Sequence, residues 1–148
     1  ALITKIKAFV SLQTYTRDIQ CDYHLGEIPP IQISSFHLEQ AILNVINNAI
    51  EAMRSGGTLT IRTHLTASST GPCIAIEITD TGSGLEQSAQ SVAPPYRFPQ
   101  PGRGFGLFIA DEIIKYYKGH LNIHGEKGKG TTVTFLLPVS EIRNGGPS

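Results

Sequence analysis

The sequence predicts an α+β fold, a two-layer α/β sandwich in which helices cover one face of a mixed sheet. Residues 36–53 place apolar side chains at helical spacing over more than four turns. Residues 59–66 and 73–79 alternate as half-buried strands do, and a short turn separates them. Consecutive strands of this kind favour hairpins, which a doubly wound parallel sheet does not contain.

The remaining elements follow from the same patterns. Pro29 and Pro30 break the chain before Ser34 and Ser35, which can cap the next helix. Residues 81–104 are rich in Gly, Ser, Pro and Gln, and a loop of this length is often functional. The predicted elements are helix 1–17, strand 31–33, helix 36–53, strand 59–66, strand 73–79, helix 105–118, strand 121–123 and strand 131–137.

Composition excludes several classes of function. Twelve basic residues balance twelve acidic ones among 148, which argues against an electrostatic binder of nucleic acid. No apolar run approaches the roughly 20 residues of a membrane span, so we expect no membrane contact by this domain. Cys21 and Cys73 form no metal-binding spacing, and we expect two free thiols in a reducing cytoplasm. The chain begins without Met inside an apolar-periodic stretch, which indicates a piece of a longer protein.

Polar side chains form the first candidate site, inside the predicted helix 36–53. Asn44, Asn48 and Glu51 share one helical face, offset from the apolar stripe. Asparagine is unfavourable within helices, and such local violations often mark a site. An amide oxygen together with waters and phosphate oxygens suits Mg²⁺. A solvated helix face explains the same pattern equally well.

Glycines define the other candidate sites. Asp80-Thr81-Gly82-Ser83-Gly84 follows a strand, where an aspartate can bind a ligand amine and glycines let the backbone approach, although a plain turn has the same sequence. Gly102-Arg103-Gly104-Phe105-Gly106-Leu107 opens a helix, so its backbone N–H groups can bind phosphate, or it is a flexible hinge. Thr131 and Thr132 follow a Gly128-Lys129-Gly130 turn.

Taken together and in this order, these motifs resemble the catalytic ATP-binding domain of bacterial sensor histidine kinases. The resemblance covers residues 27–138, and residues 48–53 look most like the nitrogen-regulation type of kinase. This domain belongs to the gyrase, chaperone-ATPase, histidine-kinase and mismatch-repair ATPase superfamily. The resemblance implies a Bergerat-type sandwich that binds ATP and Mg²⁺.

The resemblance also implies roles for individual residues. Asn48 would coordinate Mg²⁺, with Asn44 beside it. Asp80 would accept a hydrogen bond from the adenine amino group, and residues 85–103 would form a lid over ATP. The other implied nucleotide contacts are Gly82, Gly84, Gly102, Arg103, Gly104, Phe105, Gly106, Leu107, Thr131 and Thr132.

Departures from the family pattern leave alternatives open. Residues 94–101 replace a Phe-rich stretch, and Glu51 stands where many kinases have Lys or Arg. A pseudokinase that binds ATP or ADP without transfer, and a serine-directed kinase, therefore remain alternatives to a histidine kinase. Related ATPases place a glutamate base where Asn44 stands, so self-contained hydrolysis is disfavoured.

No histidine of this chain has the phosphoacceptor setting of the family. The resemblance therefore implies that the acceptor His lies on a separate dimerisation domain, with a response regulator further downstream. Residues 1–20 would be the end of a dimerisation helix or a linker, 21–140 the ATP-binding domain and 141–148 a disordered tail. We expect the isolated domain to be monomeric and cytoplasmic, within a parent that can be membrane-anchored.

Overall fold

Three helices and five strands make up the described part of the chain. The computed structural model describes residues 2–14, 18–29, 31–53, 55–69, 71–82, 105–126 and 128–139. In chain order the elements are α1 (Leu2–Thr14), β1 (Ile19–Leu25), α2 (Ser35–Ala52), β2 (Gly57–Ser68), β3 (Gly71–Asp80), α3 (Phe105–Tyr116), β4 (His120–Glu126) and β5 (Gly130–Pro138).

The sheet is mixed, as the sequence predicts. Its strand order is β1-β2-β3-β5-β4. β1 pairs with β2 in parallel, whereas the β2–β3, β3–β5 and β4–β5 pairs are antiparallel. The parallel pair requires a crossover, which α2 supplies, and the hairpins account for the rest. The predicted fold class is therefore confirmed.

The core lies between one face of the sheet and the helices. In β3, Ile74, Ile76 and Ile78 are buried on this face, and Glu77 and Thr79 alternate with them on the other. α2 buries seven residues at helical spacing: Leu38, Ala41, Ile42, Val45, Ile46, Ala49 and Ile50. α3 adds Ala110 and Ile114 to the same cluster.

Among its described side chains, the first helix packs on the domain through Ile6 and Val10. Ile6 and Val10 are each only 1% exposed and belong to the core cluster. Nζ of Lys5 lies 3.9 Å from Oε1 of Glu39 in α2. Because the Lys5 side chain is exposed, this ion pair contributes little stability. β1 starts at Ile19, just before the predicted boundary at residue 21. The predicted domain boundaries stay a prediction, and the tail 141–148 lies outside the described residues.

The predicted strand at residues 31–33 is wrong. Residues 31–33 are irregular, although Ile31 and Ile33 pack against the core. The strand that pairs in parallel with β2 is β1, which alternates Ile19, Cys21 and Tyr23 with polar residues. Three alternating residues after two prolines are too few to identify a strand. In the structure, β1 occupies the edge of β2 where such a strand would pair.

Both cysteines are free thiols, as predicted. Burial raises the pKa of the Cys21 thiol, which a nearby hydrogen bond to Tyr23 only partly offsets. None of the described helices is both long enough and apolar enough to cross a membrane.

Candidate nucleotide site

The amide side chains of α2 lie where α3 begins. A methyl group placed on Gly106 would lie 3.2 Å from the carbonyl oxygen of Asn44 and 3.5 Å from Oδ1 of Asn48. The first turn of α3 therefore approaches α2 at backbone distance. This brings two of the predicted motifs together, although they are separated by more than fifty residues of sequence.

The helical period separates the asparagines of α2 by their exposure. Asn44 and Asn48 are half-buried on the side that α3 approaches, whereas Asn47 and Glu51 are exposed. The N-cap Ser34 fixes where α2 begins, because its hydroxyl accepts the His37 N–H at 3.3 Å. The cap and the apolar stripe together fix which amides face α3.

Asp80 ends β3 on the helix-facing side of the sheet. Its position continues the alternation of Ile76 and Ile78, and it is only 6% exposed. Its Oδ1 accepts a hydrogen bond of 2.8 Å from the N–H of Gly82. This contact orients the carboxylate, a group that can accept more than one hydrogen bond.

The two threonines of β5 lie on different faces of the sheet. Thr131 pairs with Asp80 across the strands and therefore shares its face. Thr132 pairs with Thr79, and their hydroxyls are hydrogen-bonded at 3.0 Å on the opposite face. Of the two predicted contacts, the structure places Thr131 beside Asp80 and Thr132 away from it.

Glycines let three segments close around Asp80. A methyl group on Gly82 would lie 2.5 Å from the carbonyl oxygen of Ala52, the last residue of α2. A methyl group on Gly130 would run into the carbonyl oxygen of Asp80, and Gly130 has a φ of +107°. Both positions therefore require glycine. The loop after β3 packs directly on the helix that carries Asn48.

The sequence patterns did not single out the Thr81 side chain. Its Oγ1 accepts the N–H of Thr58 at 3.0 Å and donates to Sδ of Met53 at 3.8 Å. The Asp-Thr-Gly motif includes this position, but only its aspartate and glycine were predicted to contact a ligand. The contact is long-range, so no local pattern reveals it.

Several predicted contacts fall outside the described residues. These are Gly84, Gly102, Arg103 and Gly104, together with the side chain of Phe105 and the predicted lid 85–103. Gly106 and Leu107 are described, and Leu107 is half-buried against the core. Within the described ranges, no group of three or more His, Cys, Asp or Glu is placed to bind a metal ion.

Comparisons with known proteins identify the family of this chain. The family described as histidine kinase-, DNA gyrase B-, and HSP90-like ATPases matches residues 34–141. Sensor histidine kinase ZraS of Escherichia coli is 31% identical over 145 residues, covering 96% of this chain and 30% of that protein. Sporulation kinase C of Bacillus subtilis is 39% identical over 104 residues, covering 69% of this chain and 23% of that protein. The chain thus spans less than a third of either relative.

Solved structures have the same fold. The catalytic domain of histidine kinase ThkA matches with a TM-score of 0.75 at 20% identity, covering 93% of this chain and 91% of that one. Mycobacterial sensor histidine kinase MprB matches with a TM-score of 0.70 at 24% identity, covering 93% and 91%. The chain therefore belongs to the histidine kinase-, DNA gyrase B- and HSP90-like ATPase family, as an ATP-binding catalytic domain of the histidine-kinase type.

Proposed function

We propose that this domain binds ATP with Mg²⁺ and donates the γ-phosphate to a histidine on a separate dimerisation domain. One observation carries the proposal: two separate motifs converge on the second half of α2, which carries the asparagines. Gly106 approaches Asn44 and Asn48, and Gly82 approaches Ala52 one turn further along. A ligand contacting Asp80 and the start of α3 would thus lie along one rigid helix.

Asp80 is proposed to bind the adenine. Its carboxylate is buried, oriented by the Gly82 N–H, and able to accept the exocyclic amino hydrogen of the base. Thr131 lies opposite Asp80 on the same face and supplies a hydroxyl to that end of the site. A guanine presents an oxygen where adenine has the amino group, so this arrangement would favour adenine nucleotides.

The phosphates are proposed to lie between Asn48 and the first turn of α3. Backbone N–H groups at a helix N-terminus stabilise anions, and Gly106 has no side chain to block access to them. The Asn48 amide oxygen suits one position around Mg²⁺, with phosphate and water oxygens supplying the others. Bound Mg²⁺ would neutralise charge on the phosphates.

The transfer itself requires little covalent chemistry from this chain. The acceptor imidazole nitrogen would form a bond to the γ-phosphorus as the bond to the bridging oxygen breaks, leaving ADP. Asn48 and the start of α3 would hold the phosphates in line. The acceptor domain, a response regulator downstream and a cytoplasmic location are parts of this proposal. Sensor-kinase relatives, of which this chain covers 30% or less, support it.

Calorimetric titration with ADP and a non-hydrolysable ATP analogue, with and without Mg²⁺, tests the binding. We expect Asp80→Asn to weaken adenine-nucleotide binding by about tenfold or more, because a charge-assisted hydrogen bond is lost, with little change in thermal stability. We expect Asn48→Ala to lose the gain in affinity that Mg²⁺ gives. Asn47→Ala is the matched control, since Asn47 is an exposed asparagine on the same helix.

The transfer is tested with an acceptor domain supplied in trans and γ-labelled ATP. Acid-labile label on its histidine supports the proposal. Acid-stable label on serine or threonine would indicate a serine-directed kinase, and binding without transfer would indicate a pseudokinase. Unchanged ADP affinity in Asp80→Asn would contradict the adenine assignment.

A further inference from the structure

The Thr81 hydroxyl joins three segments next to the proposed adenine contact. It accepts the backbone N–H of Thr58 at the start of β2, at 3.0 Å. It donates to Sδ of Met53, the C-cap of α2, at 3.8 Å. Thr81 itself follows β3 directly. One hydroxyl therefore connects the ends of β3 and α2 with the beginning of β2.

The backbone around this hydroxyl is shaped to admit it. A methyl group on Gly57 would run into Thr81 Oγ1 and would lie 2.9 Å from Met53 Sδ. A side chain at residue 57 would therefore displace the hydroxyl from both partners. Met53 is only 1% exposed, so its sulfur is a fixed point of the core.

This contact lies where the turn that carries Asp80 meets the end of α2, the helix that carries Asn48. Thr81 is flanked by Asp80 and by Gly82, whose N–H orients the Asp80 carboxylate at 2.8 Å. Met53 lies five residues after Asn48 on the same helical run. A shift of the Thr81 backbone would therefore move the proposed adenine contact relative to the proposed phosphate contacts.

We propose that Thr81 is a positioning residue that acts through Asp80 and sets the preference for adenine over other bases. This inference rests on the proposed function. Thr81 touches Thr58 and Met53 through its hydroxyl, and holds the Asp80–Gly82 turn against the end of α2. Without that hydroxyl, the carboxylate keeps its charge but loses its fixed distance from the phosphate site.

Base discrimination separates positioning from a merely structural role. The measurement is the ratio of ADP to GDP affinity, by calorimetry in the presence of Mg²⁺. A loss of folded protein lowers the amount that binds either nucleotide and leaves the ratio unchanged. A misplaced Asp80 lowers the ratio, because only adenine donates a hydrogen bond to it.

The variants are Thr81→Val, Thr81→Ser and Asp80→Asn, with Thr66→Val as the matched control. Thr66 is a half-buried threonine at the other end of β2, so it receives the same substitution far from the site. We expect Thr81→Val to lower the ADP-to-GDP ratio about fivefold, the value of one net hydrogen bond. Thr81→Ser keeps the hydroxyl and should restore the ratio, and Thr66→Val should leave it unchanged.

The double variant shows whether Thr81 acts through Asp80. Once Asp80→Asn has removed the discrimination, adding Thr81→Val should lower the ratio no further. An unchanged ratio in Thr81→Val, or equal weakening of both nucleotides, would overturn the positioning role. An unchanged ratio in Asp80→Asn would instead overturn the adenine assignment, so the two failures are distinguishable.

Discussion

α2 and α3 are held together differently at their two ends. Where α2 begins, the Tyr117 hydroxyl accepts the Ser34 N–H at 3.3 Å and forms a 2.6 Å hydrogen bond with Nδ1 of His37. At the other end, Gly106 has no side chain to separate the helices, and its backbone lies beside Asn48. Polar and aromatic side chains set the spacing at the first end, which we call the side-chain end (Ser34, His37 and Tyr117). A glycine sets it at the second, which we call the glycine end (Gly106).

The difference separates contacts that stabilise the helix pair from the end at which we propose binding. The rings of His37 and Tyr117 lie 5.7 Å apart, and Tyr116 packs edge-on against Tyr117 at 5.0 Å. These contacts involve no residue of the proposed site. At the other end, Gly106 brings the α3 backbone beside the Asn48 amide, where we propose that the phosphates bind. We therefore expect substitutions at one end to change stability and at the other to change affinity.

The largest expected effect comes from filling the glycine end. Gly106→Val places a branched side chain where even a methyl group lies 3.2 Å from the Asn44 carbonyl oxygen. We expect ADP affinity to fall more than tenfold, and stability to fall by about 1–3 kcal/mol, as is usual for overpacking. Calorimetry with ADP and thermal unfolding measure the two effects.

A graded series controls for this prediction. Gly106→Ala adds only the methyl group, which a shift of a few tenths of an ångström accommodates, so its effect should lie between the wild type and valine. Wild-type ADP affinity in Gly106→Val would mean that the start of α3 does not contact the nucleotide. The glycine end would then have no role in binding, and the proposed difference in function between the two ends would be wrong.

Much of the fold could be predicted because the strongest patterns are local. α2 and β3 bury apolar residues at the periods that their sequences show. β1 was missed although Ile19, Cys21 and Tyr23 alternate with polar residues, because its pairing with β2 depends on a crossover through α2. A parallel partner distant in sequence leaves no turn signal at the strand itself.

The site could be predicted only in part, for the same reason. The helical period placed Asn44 and Asn48 on one face, and Asp80 followed from its position at a strand end. The Thr81 hydroxyl bonds to Thr58 and Met53, more than twenty residues away in sequence. The difference between Thr131 and Thr132 depends on the register with β3, which residue patterns alone did not specify.

The side-chain end is tested by Tyr117→Phe, which removes one hydroxyl and keeps the ring. We expect stability to fall by about 1 kcal/mol, because the Ser34 N–H and His37 Nδ1 both lose this partner. We expect ADP affinity to stay within about twofold of the wild type, because the Tyr117 hydroxyl and its hydrogen bonds lie outside the proposed site. Thermal unfolding and calorimetry on the same samples give both values.

Tyr116→Phe is the matched control for that variant. Tyr116 is the adjacent residue, 75% exposed, and loses the same hydroxyl. Its unfolding temperature should match the wild type. If Tyr117→Phe weakened ADP binding as strongly as it lowered stability, the two ends would be coupled through the helices, and the separation of stability from binding would be wrong.

The smallest expected effect is that of Ser34→Ala, which sharpens the comparison within the side-chain end itself. The Ser34 hydroxyl accepts the His37 N–H, whereas its backbone N–H donates to Tyr117 and is kept in the variant. We expect a loss of about 0.5–1 kcal/mol, at the lower end for an N-cap, because the bond is exposed and water can replace it. Ser35→Ala, one residue into α2, should change little.

If Ser34→Ala and Tyr117→Phe are additive, the cap and the tyrosine stabilise α2 independently. A double variant that is less destabilised than the sum would show that His37 joins them in one network.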